Sequence, residues 1–214
     1  MQRFQIPGPL VLLLTLVPAG LVLAGVALAK ILLDVEPHFL LRDLATTAGA
    51  HPLTGAVSML GMVLWSAAAS VSLLTALLLM RWRREGAAFF LASAALSGWL
   101  LFDDLYLFHD VLAPAYLKIS TEIVLVGIGL LVLAWLAVFR RDIRNAGPFF
   151  LVLALGFFGL SIAVDLATDF IPQMSAMGPW RIFYEDGPKW MGIACWLAFH
   201  VTAAVAALDQ ARID

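Results

Sequence analysis

Apolar runs divide this chain, and short clusters of polar and helix-breaking residues separate them. Six runs qualify by length: 9–33, 55–80, 86–108, 120–139, 148–167 and 187–208. A helix rising about 1.5 Å per residue needs about 20 apolar residues to cross a hydrocarbon core about 30 Å thick. Backbone N–H and C=O groups find no water in lipid, so runs of this length are expected to be helices. Breakers mark the connections: Glu36-Pro37, His51-Pro52, Ala113-Pro114, Gly147-Pro148, Ile171-Pro172 and Gly187-Pro188. The fold class expected is therefore all-α, a polytopic membrane protein forming one domain over residues 1–214, a bundle of six transmembrane helices.

Composition agrees. Of 214 residues, 63% are hydrophobic and 13% charged, against about half and about a quarter in soluble domains. A net charge of -2 argues against a nucleic-acid partner. The single cysteine, Cys195, leaves no internal disulfide and no cysteine-based zinc site. Ala27-Leu-Ala29 resembles a signal-cleavage box. The run before it exceeds the roughly 7–15 residues of a signal h-region, so we read it as the first span.

Basic residues give the expected orientation. Arg81, Arg83 and Arg84 follow the second run, and Arg140, Arg141 and Arg144 follow the fourth. By the positive-inside rule these turns, with Arg3 and Arg212, are cytoplasmic, as are both termini; the expected location is a bacterial inner membrane.

That orientation collects the acids on the other side. Asp34, Glu36, Asp43, Asp103, Asp104, Asp110, Glu122, Asp165, Asp169, Glu185 and Asp186 fall in outer connections or the outer ends of spans. Asp103, Asp104 and Asp165 lie inside apolar sequence, where a charge costs several kcal/mol (about 3 on insertion scales) unless paired, wet or protonated. At about 100° per residue, Asp103, Tyr106 and Asp110 share a face of the third span with His109 at its edge. Asp104 joins Ser93 and Ser97 on another. Ser161, Asp165, Thr168 and Asp169 form one stripe, and Glu185, Lys189, Gly192, Trp196 and His200 a second. An extracytoplasmic acidic pocket among spans three to six is the expectation.

Carboxylates with a histidine suit a divalent metal ion that activates water. Asp103, His109, Asp110, Asp165 and Asp169 are the candidate ligands. Glu185 is the candidate general base, Lys189 an electrostatic stabiliser, and Asp104 a third catalytic candidate. Plainer roles stand beside these. Glu185 and Lys189 at i,i+4 match a helix-start ion pair. Asp110, Asp169 and Glu122 suit a solvated interface, His200 a packing role, and Ser66, Ser70, Ser93 and Ser97 close helix contacts.

The motifs Asp103-Asp104-Leu-Tyr-Leu-Phe-His109-Asp110 and Glu185-Asp-Gly-Pro-Lys189 resemble a pair found in small bacterial multi-span proteins. Phe108-His109 also resembles the first motif of the alkaline ceramidase-like membrane hydrolases. Leu105 stands where that family has serine, and its late H-x-x-x-H is missing. Glu185-Asp-x-x-Lys189 resembles the E-E-x-x-K of PrsW-type intramembrane proteases, whose later histidine motif is missing as well. The first likeness implies no particular activity; the other two imply a membrane hydrolase.

The leading functional expectation is thus a metal-dependent hydrolase acting on a lipid-like substrate in the bilayer. A cation-binding transporter or channel is the second, although the inner halves of the spans are nearly all apolar. The third is an accessory subunit or homo-oligomer in a membrane complex, its contacts made by Gly127/Gly129, Gly156/Gly159 and the alanines of span six. Neither haem, flavin, nucleotide nor retinal is expected; Lys189 sits too near a helix start for retinal, and His109 and His200 differ too much in depth for haem.

Overall fold

The computed structural model describes residues 8–170 and 180–213, with side chains described from residue 12 to 167 (except 14) and from 180 to 212. Among these residues the structure is all-helical, with no strand. Six helices are long and apolar enough to cross a membrane. The chain divides into two compact units, Met1–Ala56 and Val57–Asp214.

The first unit holds α1 (Gly8–Leu33) and two single-turn helices, α2 (Pro37–Leu41) and α3 (Leu44–Ala48). Most of the described apolar side chains of α1 are exposed, a surface suited to lipid rather than water. Lys30 ends the helix by meeting Asp34 at 2.7 Å and also Glu36. Asp43 caps α3 by accepting the Thr46 N–H at 2.7 Å.

The second unit contains α4 (Ala56–Trp82), which begins at the unit boundary, α5 (Ala87–Tyr106), a wide π-helical segment (Phe108–Leu117), α6 (Thr121–Val138), α7 (Arg140–Ala146), α8 (Phe149–Phe170) and α9 (Trp180–Ile213). Its core is aromatic. Trp65 of α4 stacks on Phe158 of α8 and meets Trp196 of α9 edge-on, and Trp196 packs on Trp135 of α6. Small polar groups satisfy the indoles. Trp135 Nε1 donates to Ser93 Oγ at 3.2 Å and Trp196 Nε1 to Ser97 Oγ at 2.9 Å. The small-polar face expected on α5 is therefore the surface that receives two tryptophans. Ser66 and Ser70 are instead exposed, and the inward serine of α4 is Ser72.

Helix approach is closest where α8 meets α9. A Cβ built on Gly192 would stand 2.5 Å from the Phe158 ring, so only glycine lets the two helices pack this way. Gly127, Gly129, Gly156 and Gly159 have open space at the same position.

Two helix ends differ from the ends of the apolar runs. α9 runs through Gly187-Pro188 from Trp180, with Pro188 inside the helix. Proline at 188 removes the N–H that the Tyr184 carbonyl would accept in a regular helix. Ser161 Oγ of α8 donates to the adjacent Glu185 carbonyl at 2.8 Å. The third span ends earlier than expected, at Tyr106, because Leu107 adopts a left-handed conformation (φ 49°).

Candidate functional site

Leu107 turns the chain back on itself, and that turn builds the site. A non-glycine residue at positive φ costs about 1–2 kcal/mol. Asp103, one turn earlier, offsets this by gathering the residues beyond the turn. Its Oδ1 accepts the His109 backbone N–H at 3.1 Å and its Oδ2 meets His109 Nδ1 at 2.6 Å. Asp103 is 5% exposed, so this carboxylate has exchanged water for two directed hydrogen bonds. Thr121 at the start of α6 donates to the His109 carbonyl at 3.0 Å and fixes the residue from its other side.

With Nδ1 held by Asp103, Nε2 is the ring nitrogen left for another partner. His109 Nε2 faces the Asp110 carboxylate at 3.3 Å. The hydrogen bond to Asp103 outweighs burial and holds the imidazole above its usual pKa, with the charges of Asp103 and Asp110 adding to the effect. The expected Asp103, His109 and Asp110 grouping is thus brought together, by a different route. A helix continuing to residue 108 would have left His109 at the edge of the face; the turn at Leu107 lays it on Asp103.

Asp104 points elsewhere, as its helical position predicts. It accepts the Trp65 Nε1–H at 2.8 Å and pairs with Lys189 Nζ at 2.7 Å. The i,i+4 pair expected between Glu185 and Lys189 is not what forms. Lys189 reaches across to α5, and Glu185 stands 3.6 Å from Arg181, one turn before it. Glu185 lies within electrostatic reach of Asp165, Asp186 and Asp110, and Lys189 within reach of Asp110, Asp186 and His109. The groups on α5, α8, α9 and the π segment therefore share one electrostatic neighbourhood. Asp165 is exposed on α8, one turn beyond Ser161. The side chains of Thr168 and Asp169 lie outside the described residues.

Trp65, Thr121 and Arg181 complete the site without having been singled out from sequence. Trp65 carried no signal beyond an indole N–H in an apolar run. Thr121 was legible as part of a helix start and Arg181 as a basic residue beside acids; neither spacing reveals its partner.

Below this neighbourhood the unit is closed by the aromatic core. Trp196, Phe199 and His200 are fully buried. His200 takes the packing role expected of it, its Nδ1 against the Trp196 carbonyl at 2.8 Å and its ring stacked on Trp135. Its Nε2 and Ser72 Oγ have no hydrogen-bond partner among the described residues.

Among the described residues, no three His, Cys, Asp or Glu side chains are grouped closely enough to hold a metal ion.

No curated protein and no solved structure matches the chain. The comparisons add no support to the ceramidase likeness. A family model described as a domain of unknown function (DUF8692) matches residues 11–203, which take in every element of the site, and the chain belongs to that family.

Proposed function

We infer that this protein is a membrane hydrolase that works at the acid end of its second unit on a lipid-like substrate, with a divalent cation as cofactor. The observation that carries the reading is the Asp103–His109–Asp110 arrangement. A carboxylate on Nδ1 fixes the tautomer and orientation of a histidine and raises the basicity of Nε2, the usual support of a metal-binding imidazole. His109 Nε2 and the Asp110 carboxylate, 3.3 Å apart, would hold the cation between them. Asp165 and Asp169 of α8 are the carboxylates that would complete the set. The cation would supply a water made acidic enough to attack at neutral pH. Glu185 is suited to take that water's proton. Asp104, already occupied by Trp65 and Lys189, positions the lysine ammonium, which would stabilise negative charge on the substrate. The packed aromatic layer beneath supports a site that turns over at one face rather than a path through the unit.

The second part of this reading is topological: six spans, with both termini in the cytoplasm of a bacterial cell. The arginine-rich turns after α4 and α6 lie together at the end of the second unit remote from the acids, as the positive-inside rule requires of one membrane face.

The test is metal analysis of the purified protein after chelation and reloading with zinc, manganese or magnesium, alongside hydrolysis of ester, amide and phosphodiester lipids in mixed micelles. Stoichiometric metal in the wild type, lost together with hydrolysis in His109→Ala and Asp110→Asn, is the expected result. A folded protein that takes up no metal from any of the three would sink the reading.

A further inference from the structure

At the end of the second unit remote from the acids lies a cavity of about 480 Å³. Arg83 and Arg84 from the turn after α4, Glu85 beside them, Asp142 and Asn145 of α7 and Gln210 of α9 supply its polar wall. Leu79, Phe89 and Phe90 with the alanines of α9 supply an apolar one. One feature sets it apart from an ordinary gap between helices. Its two guanidinium and two carboxylate groups stand around one space, yet none of the four makes an ion pair or side-chain hydrogen bond within the described residues. The turn that presents the arginines closes α4 with a left-handed cap at Arg83 (φ 56°), the Arg84 N–H returning to the Leu79 carbonyl at 2.9 Å.

The ligand follows from the charges. A purely anionic group would satisfy the arginines and be repelled by Glu85 and Asp142. A zwitterion with phosphate at one end and a primary ammonium at the other would satisfy all four. The apolar wall calls for an alkyl portion, and the cavity lies at the end of helices long enough to span a bilayer. Pockets of about 300–1,000 Å³ accept a small-molecule ligand, and basic pockets between membrane helices on the cytoplasmic side take lipid headgroups. We propose that this cavity binds an aminoalkyl-phosphate lipid headgroup, of the phosphatidylethanolamine type, with the phosphate on Arg83 and Arg84 and the ammonium between Glu85 and Asp142. This assignment rests on the cytoplasmic placement of this end proposed above and is independent of the hydrolase site.

Native mass spectrometry of the full chain, released from detergent with defined lipids added, tests it. Phosphatidylethanolamine is expected to be retained at least tenfold more than phosphatidylcholine, whose quaternary ammonium cannot donate hydrogen bonds, and more than phosphatidylglycerol, which has no ammonium. Asp142→Asn is expected to remove most of the discrimination against phosphatidylglycerol. Arg84→Gln, which leaves Arg81 and Arg83 to hold topology, is expected to weaken all three lipids about tenfold. Soluble phosphoethanolamine at the same concentration is expected not to displace the lipid; displacement would overturn the lipid source. Equal retention of the three lipids, or an unchanged preference in Asp142→Asn with helix content preserved, would overturn the proposal.

Discussion

The two ends of the second unit carry similar numbers of charges and treat them in opposite ways. At the acid end, Asp103 has His109, Asp104 has Lys189 and Trp65, and Glu185 has Arg181. At the basic end, Arg83, Arg84, Glu85 and Asp142 share a cavity and have no ion pair among the described residues. Part of the difference is burial. Asp103 is almost wholly removed from water and must be satisfied by protein, whereas Arg83 and Glu85 are exposed and keep their hydration. The first end is organised in advance of any ligand; the second offers complementary charge without a geometry of its own. Substitutions at the two ends should therefore differ more in stability than in charge.

The largest effect is expected for Asp103→Ala, which strands the His109 ring and backbone N–H at the strained turn. Loss of about 3 kcal/mol is expected, the cost of leaving one partner of a buried pair unmatched, measured as reduced unfolding free energy in detergent. Gly192→Ala, between the two ends, comes next. Its methyl must displace the Phe158 ring, at a cost of about 2 kcal/mol, and a compensating Phe158→Leu is expected to restore part of it.

A smaller effect is expected from pH. The folded-state pKa of His109 is raised, so its contribution is complete below the unfolded value near 6.5 and disappears as pH rises through the folded value. In metal-free protein, thermal midpoints should therefore fall from acid toward neutral pH and beyond by more in the wild type than in His109→Gln. An equal slope in the two would remove the proton from the Asp103–His109 pair. Smallest of all, Arg84→Gln and Asp142→Asn should each alter stability by less than about 0.5 kcal/mol, since neither side chain has a partner to lose. A larger loss at either would erase the contrast between the ends.

The spans were legible because lipid leaves the backbone one solution, and the residues that fill it must be apolar for its whole length. The acids of interest were legible for the converse reason, since Asp103 and Asp104 interrupt apolar sequence. Their partners were not. Helical periodicity relates residues on one helix, so it offered Glu185 to Lys189, while the stronger solution joined α9 to α5 through Asp104. Periodicity also continued past Tyr106, because nothing in Leu107 announces a left-handed turn; the capture of the following N–H by Asp103 is a tertiary event. Pro188 misled in the other direction: a breaker in water is tolerated where a hydroxyl from α8 supports the turn before it. Gly192 appeared only as one member of a stripe, and its close approach depends on Phe158 lying opposite.

The Asp104–Lys189 bond also has a consequence in time. Its two partners are 85 residues apart, and the helix that brings Lys189 also brings Trp196, Phe199 and His200, the centre of the core. At about 5–20 residues per second, a ribosome makes α5 roughly 4–17 s before Lys189 emerges. In a membrane, Asp104 would spend that interval with neither its cation nor the tryptophan layer beneath it complete. The nascent chain would have to hold that carboxylate protonated, wet or in another protein's care until its own last helix arrives.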